Sequence, residues 1–361
     1  MSDPILDVRD LRLWYLTGRG AVRAVDGVSL AVDQGQTLGI VGESGSGKTT
    51  LTRAIAGLPL ATRTVRTGEV HLDGRDLVTL SAAQLRSVLG AELAMVFQDP
   101  MTSLNPVMRV GAQLTEGLRL HRSLSRRQAR LAARELLAAM RLPDPDTILR
   151  RYPAELSGGM RQRVTIAIAL ACGPTVLLAD EPTTALDVTV QAQILDLLAE
   201  MQRERSMAVV LVTHDLGVVA TRTTRIAVMY GGKIVEEGPT AVVLRRPHMP
   251  YTEALLRSVP RFDAGPRRPL RTIPGQPPGL LDPPPGCRFA SRCDRASSRC
   301  VVDEPPLREA STPGHRFACW HPVHEAPVHE APAHEAPAHE APAHEAHVHE
   351  APIPTTTRRR D

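Results

Sequence analysis

Residues 42–49 read Gly-Glu-Ser-Gly-Ser-Gly-Lys-Thr, the pattern G-x-x-x-x-G-K-[ST], and no other stretch restricts the fold of this chain as strongly. An apolar run, Thr37–Val41, comes just before it, and a helical pattern, Thr49–Ala56, follows. Strand, glycine loop and helix in that order turn backbone N–H groups round a phosphate, because Gly42, Gly45 and Gly47 put no Cβ in the way. The helix N-terminus adds a favourable dipole. Lys48 is expected to reach β- and γ-phosphates as a compact charge, and Thr49 to offer its hydroxyl to Mg²⁺. Composition sharpens the point. Of 43 Lys+Arg residues only Lys48 and Lys233 are lysines, so a lysine inside this loop marks a place where arginine would not serve.

Short apolar runs recur at Leu93–Phe97, Thr175–Ala179, Ala208–Thr213 and Arg225–Tyr230, with amphipathic stretches between them. This alternation predicts an α/β fold over residues 1–245, with a mostly parallel sheet covered on both faces. The run at Thr175–Ala179 ends in Asp180-Glu181, which a doubly wound sheet delivers beside the phosphate loop. Asp180 is expected to hold Mg²⁺ through water, and Glu181 to polarise an attacking water as general base. Between Asp99 and Ser157 the character changes. Arg122–Met140, rich in Ala, Leu and Arg at helical spacing, predicts a helical insertion. Beyond about Pro247 proline becomes frequent and the chain reads as an extended appendix. From His324 it becomes a five-residue repeat of the HEAPA type. Such composition cannot bury enough apolar surface to offset chain entropy, so Val323–Asp361 reads as disordered.

Leu156-Ser157-Gly158-Gly159-Met160-Arg161-Gln162, about twenty residues before Asp180, resembles the signature motif of ATP-binding-cassette (ABC) ATPases. The other family elements follow in order. Tyr15 matches the aromatic that stacks on adenine. Gln98 matches the glutamine that couples the site to the membrane subunit and reaches the Mg²⁺. Ala185-Leu186-Asp187 matches the loop that crosses to a second subunit. His214 matches the switch histidine that contacts the γ-phosphate. The resemblance implies that Gly42, Ser44, Gly45, Ser46, Gly47, Lys48, Thr49, Thr50, Gln98 and Asp180 bind MgATP, with Thr49, Gln98 and Asp180 at the metal. Glu181, His214 and Gln98 serve hydrolysis. Ser157, Gly158 and Gly159 close over nucleotide held by a second ATPase subunit. Met160 and Thr184 depart from the usual glutamine and serine without removing a catalytic group.

The implied fold is an ABC-type ATPase core with a RecA-like mixed sheet (residues 1–98 and 158–245), a helical signature subdomain (99–157), an appendix (246–322) and a disordered tail (323–361). Within the appendix, Pro250-Tyr251-Thr252 and IPGQPPGLLDPPPGCRFASRC resemble the C-terminal region of the oligopeptide/dipeptide importer ATPases, a branch that includes nickel importers. The usual histidine before Pro-Tyr-Thr is Met249, with His248 displaced by one. Cys287, Cys293, Cys300 and Cys319 follow a C-x5-C-x6-C-x18-C spacing. Four thiolates in a reducing compartment suit tetrahedral zinc or an iron–sulfur cluster, with unligated thiols as the third reading. The wide gaps favour a cluster, and the resemblance points to [4Fe–4S]. Cys172 reads as a small core residue. The tail histidines 324, 329, 334, 339, 344, 347 and 349 read either as a drifting repeat or as a buffer for nickel or zinc.

The formal net charge of +4 and an aromatic content of 3% argue against a nucleic-acid binder. No apolar run approaches the ~20 residues of a membrane helix, and MSDPILDVRD lacks a signal-peptide pattern. The expectation is a peripheral ATPase on the cytosolic face of the membrane. It pairs with a second, related ATPase and two permease subunits, and an extracytoplasmic solute-binding protein delivers the di- or oligopeptide. The rival classes are a nickel or other small-solute importer ATPase and a soluble ABC ATPase acting on nucleic acid or ribosomes.

Overall fold

The computed structural model describes residues 3–58, 63–99, 103–184, 186–258 and 272–324. The repeat tail from residue 325, with its histidines beyond His324, lies outside the described residues.

The chain opens with two long strands, β1 (Leu6–Thr17) and β2 (Gly20–Val32). After β3 (Thr37–Val41) come β4 (Thr64–Leu72) and the short β5 (Arg75–Asp76). These form a four-stranded antiparallel sheet in the order β2-β1-β4-β5. The apolar-run pattern does not show this sheet. Register shifts between Val8 and Leu11 and between Leu13 and Trp14, with Asp10 at φ 45°, interrupt the alternation by which half-buried strands are recognised.

The five predicted apolar runs become β3, β6 (Leu93–Val96), β7 (Val176–Asp180), β8 (Ala208–Val212) and β9 (Arg225–Tyr230). All pair in parallel, in the order β9-β3-β8-β7-β6. Every residue of β7 and β8 is buried, as two covered faces require. Beyond β9 the sheet turns antiparallel with β10 (Lys233–Pro239) and then β12 (Arg316–Phe317) and β11 (Arg308–Glu309), which makes it a mixed sheet.

Three apolar cores result. One joins the antiparallel sheet and α1 (Lys48–Ile55) to the main sheet through Leu11, Leu13, Leu51, Ile55, Leu178 and Val210. A second lies under α6 (Gly158–Leu170), α7 (Val188–Arg205) and the helical insertion. The insertion contains α3 (Val110–His121), α4 (Arg126–Ala139) and α5 (Pro145–Arg150). The predicted helix Arg122–Met140 starts late because Ser125 and Gln128 form a capping box that fixes the N-terminus at Arg126. Cys172 is buried and free.

The third core joins the appendix to β9 and β10. It contains α10 (Pro250–Ser258), with Tyr251 at ring-centroid distances of 4.4 Å from Tyr230 and 5.4 Å from Phe289. Glu236 of β10, fully buried, accepts from the His248 N–H (2.6 Å) and the Met249 N–H (3.2 Å), and lies 2.8 Å from His315 Nε2. Val323 N–H donates to the His248 carbonyl. The proline-rich appendix is thus packed against the cassette from Thr272 to His324, with two short strands of its own in the main sheet.

Candidate nucleotide site

β3 ends at Val41 and the glycine loop begins at Gly42. A Cβ at Gly42 would lie 2.1 Å from the Met229 carbonyl oxygen, and one at Gly47 would lie 2.3 Å from that of Ala24. Gly47, at φ 103°, caps α1 with no side-chain hydrogen bond, so the first N–H groups of the helix keep no intrahelical partner. Lys48 is buried, and its Nζ donates to the Gly42 (2.7 Å) and Glu43 (2.9 Å) carbonyls. Burial lowers its pKa, while Glu181, Asp180 and Glu43 act in the opposite sense. Ala24, Ser44, Gly45, Gly47, Lys48, Thr49, Thr50, Gln98, Glu181 and Leu280 line a cavity of about 190 Å³ in front of the loop.

Asp180 and Glu181 sit at the C-terminal end of β7, where the sequence places them. Asp180 is fully buried, accepts from Thr49 Oγ1 (3.1 Å) through Oδ1, and leaves Oδ2 with no hydrogen-bond partner. Burial pushes its carboxyl up to about 6. A buried carboxylate oxygen without a partner, beside a threonine hydroxyl, fits a hard divalent cation. Glu181 adopts φ 46°, a strained position for a side-chain-bearing residue. Its carboxylate accepts from Gln98 Nε2 (3.2 Å) and Thr184 Oγ1 (2.8 Å), with His214 Nδ1 at 3.3 Å. Gln98, Asp180, Glu181, His214 and the loop are therefore one constellation. Thr184, marked in the sequence only as a departure from the usual serine, joins it through its hydroxyl.

The signature residues stand apart. Ser157 caps α6 by accepting from the Met160 N–H (3.3 Å), Ser157 and Gly158 are exposed, and neither they nor Gly159 line the cavity. Asp187 caps α7 in the same way, and Ala185 lies outside the described residues. Tyr15 lies on β1, its ring against the core and its hydroxyl buried without a partner, and it is not among the cavity-lining residues.

The sequence profile described as ABC transporter matches residues 25–184, and that described as oligopeptide/dipeptide transporter, C-terminal region, matches residues 235–300. A probable peptide ABC transporter ATP-binding protein of Sinorhizobium fredii is 48% identical over 321 residues, covering 88% of this chain and 95% of that protein. The oligopeptide transport ATP-binding protein OppD of Salmonella typhimurium is 48% identical over 324 residues, covering 90% and 96%. This chain belongs to the ABC transporter ATP-binding family, in its oligopeptide/dipeptide branch. It is an ABC ATPase, and the solved structures agree. A dimeric ATP-binding cassette in a post-hydrolysis state with ADP and phosphate matches with a TM-score of 0.59 and 30% identity, over 65% of this chain and 98% of that one. The match leaves out about a third of this ABC chain.

The branch-specific appendix holds the four cysteines. Cys287 accepts N–H bonds from Phe289 and Ala290, Cys293 from Arg295 and Cys319 from His321, while the Ser297 hydroxyl lies 3.6 Å from Cys300 Sγ. Burial raises the thiol of Cys287 to about 11 and that of Cys319 to about 12, and the neighbouring cysteines add to both shifts. The thiols thus share one region, but among the described residues no group of three or more His, Cys, Asp or Glu is arranged to hold a metal ion. Among the described residues no helix is long and apolar enough to cross a membrane.

Sequence reasoning missed the contacts that reach the loop and the neighbouring β2 from the appendix. Arg292 pairs with Glu43, the Tyr251 hydroxyl accepts from the Glu43 N–H, and Arg288 pairs with Asp26. These partners are more than 200 residues apart in the chain, so no local pattern announces them.

Proposed function

We propose that this chain binds MgATP in its glycine loop and hydrolyses it to drive uptake of di- or oligopeptides through a membrane permease. The observation that carries the reading is the buried pair Lys48 and Asp180 with the half-buried Thr49 between them, one Asp180 oxygen left unpaired, and Glu181 lining the same cavity as Lys48 and Thr49. Lys48 and the loop N–H groups take the β- and γ-phosphates. Thr49, Asp180 and Gln98 would hold Mg²⁺, which neutralises charge developing on the phosphates. Glu181 accepts a proton from the attacking water, and His214, exposed beside it, contacts the γ-phosphate.

The exposed Ser157 helix completes the nucleotide site of a second ATPase subunit, and ATP joins the two chains until hydrolysis separates them. Peptide as solute follows the curated relatives, named for peptide, dipeptide and oligopeptide transport. A groove of about 850 Å³ on the helical insertion, lined by Arg109, Arg119, Arg126, Arg130 and Arg150, is proposed as the seat of the permease. The exposed Val107 and Leu120, 80% and 72% accessible, lie on the same insertion. On this reading the chain sits on the cytosolic face of the membrane, with a solute-binding protein acting through the permease.

We assign the four appendix cysteines to a [4Fe–4S] cluster, with zinc as the alternative, and route no step of hydrolysis through them. Support comes from four partly or fully buried thiols carrying N–H or O–H contacts, a pattern that suits thiolate ligands. Anaerobic purification followed by iron, sulfide and zinc analysis decides between them: iron and sulfide in equal amounts support the cluster, and one zinc per chain replaces it.

Purification with the membrane partners, then peptide uptake into vesicles, tests the main reading. ATP-dependent uptake that stops with Glu181→Gln is the expected result. ATP hydrolysis without a permease partner and without peptide uptake contradicts it.

A further inference from the structure

Glu43 is the second residue of the glycine loop, yet its side chain does not line the cavity. Each of its polar groups is held elsewhere. Its carbonyl accepts from Lys48 Nζ (2.9 Å) and its N–H donates to the Tyr251 hydroxyl (2.8 Å). Its carboxylate takes two bonds from one guanidinium, Arg292 Nη1 at 2.6 Å and Nη2 at 3.0 Å. The Arg292 side chain is only 3% exposed. It also donates to the Tyr230 hydroxyl and to the Pro274 and Ile273 carbonyls, so its position is fixed from several sides.

A forked pair of this kind fixes geometry as well as charge, and removing Glu43 leaves the buried Arg292 guanidinium uncompensated. The rest of the loop is held by the cassette: Ser46 accepts from the Gly232 N–H, and Gly42 and Gly47 are wedged against backbone carbonyls. Among the described residues, the appendix bonds directly to the loop at Glu43. The appendix reaches the same region twice more. The Leu280 carbonyl accepts from the Arg23 N–H while Leu280 lines the cavity, and Arg288 pairs with Asp26 and the Gly231 carbonyl.

We propose that the appendix is part of the nucleotide site, with Arg292 and Tyr251 as positioning residues that hold the phosphate loop at Glu43 and so set the affinity for ATP. The inference rests on the glycine loop being the ATP site. Its consequence is that the C-terminal region, usually distant in sequence from nucleotide chemistry, tunes the first step of the cycle.

The test uses the full chain, titrated with mant-labelled ATP, and the assembled transporter for turnover. Arg292→Met and Glu43→Gln are each expected to weaken nucleotide binding about tenfold, equivalent to about 1.4 kcal/mol. The double variant loses no more than either single one, because both remove the same contact. Tyr251→Phe, which deletes only a hydroxyl, costs about threefold, and Arg292→Lys recovers part of the Arg292→Met loss. The kcat at saturating ATP stays within about twofold of wild type, since neither residue touches the reacting groups. Unchanged affinity in folded variants, or losses that add in the double, overturns the proposal. If Arg292→Met does not fold, Tyr251→Phe decides by the same criterion. Equal binding by wild type and Lys48→Ala instead overturns the ATP-site reading, and the inference with it.

Discussion

Two helix N-termini in this protein are candidates for holding anions, and they are built differently. α1 begins at a glycine in a left-handed conformation with no side-chain cap, and it is surrounded by a buried lysine, two carboxylates and a threonine hydroxyl. α6 begins at Ser157, which satisfies one of its own N–H groups, is exposed, and has no charged residue in its first turn other than Arg161. The first has charge, burial and a binding cavity. The second has only exposed backbone. The contrast supports the proposal that the first binds nucleotide by itself while the second acts on nucleotide held by another chain.

Substitutions break this comparison in order of size. Glu181→Gln is expected to slow hydrolysis by about 100- to 10,000-fold, the usual worth of a positioned base, while ATP binding persists. Single-turnover assays with γ-labelled ATP check it. Lys48→Ala removes a charged donor and weakens ATP binding about 10- to 100-fold by nucleotide titration. The glycines sharpen the point further. Gly47→Ala forces a Cβ against the Ala24 carbonyl and abolishes binding, whereas Gly158→Ala has its nearest neighbour at 3.7 Å, Leu186 Cδ2. The second change leaves nucleotide titration and thermal unfolding of the lone chain unaltered and lowers hydrolysis only in the assembly.

The smallest effect is on pH dependence. Burial pushes Asp180 up to about 6 from an ordinary 3.8. A cation needs the charged form, so MgATP affinity is expected to fall as pH drops through about 6 and to level off above 7. Without nucleotide the sign reverses for stability. The folded chain holds the Asp180 proton more tightly than the unfolded one, so this residue's contribution to stability declines as pH rises from about 4 through 6. Titration calorimetry and thermal melts across pH 4.5–8, with Asp180→Asn as control, measure both.

How far the sequence carries the reader differs between the same regions. The loop, Asp180, Glu181 and the five parallel strands are legible because each is a short local pattern with a chemical reason. The antiparallel sheet is not, because bulges at Val8–Leu11 and Leu13–Trp14 interrupt its alternation. The docking of the appendix is less legible still. It depends on a two-residue strand, Arg316–Phe317, and on pairs such as Arg292–Glu43 whose partners sit 249 residues apart. Tyr15 shows the converse: the motif names it, but its hydroxyl is buried without a partner and it is not among the residues lining the cavity.

The central claim is that nucleotide gripped by Lys48 is completed by a serine–glycine helix from another subunit. Ser157→Arg, introduced into the purified transporter, tests it most directly. Mant-ATP is expected to bind the isolated variant with wild-type affinity, while hydrolysis by the assembly is lost. Full hydrolysis by the Ser157→Arg assembly, or weakened binding by the lone chain, would contradict it.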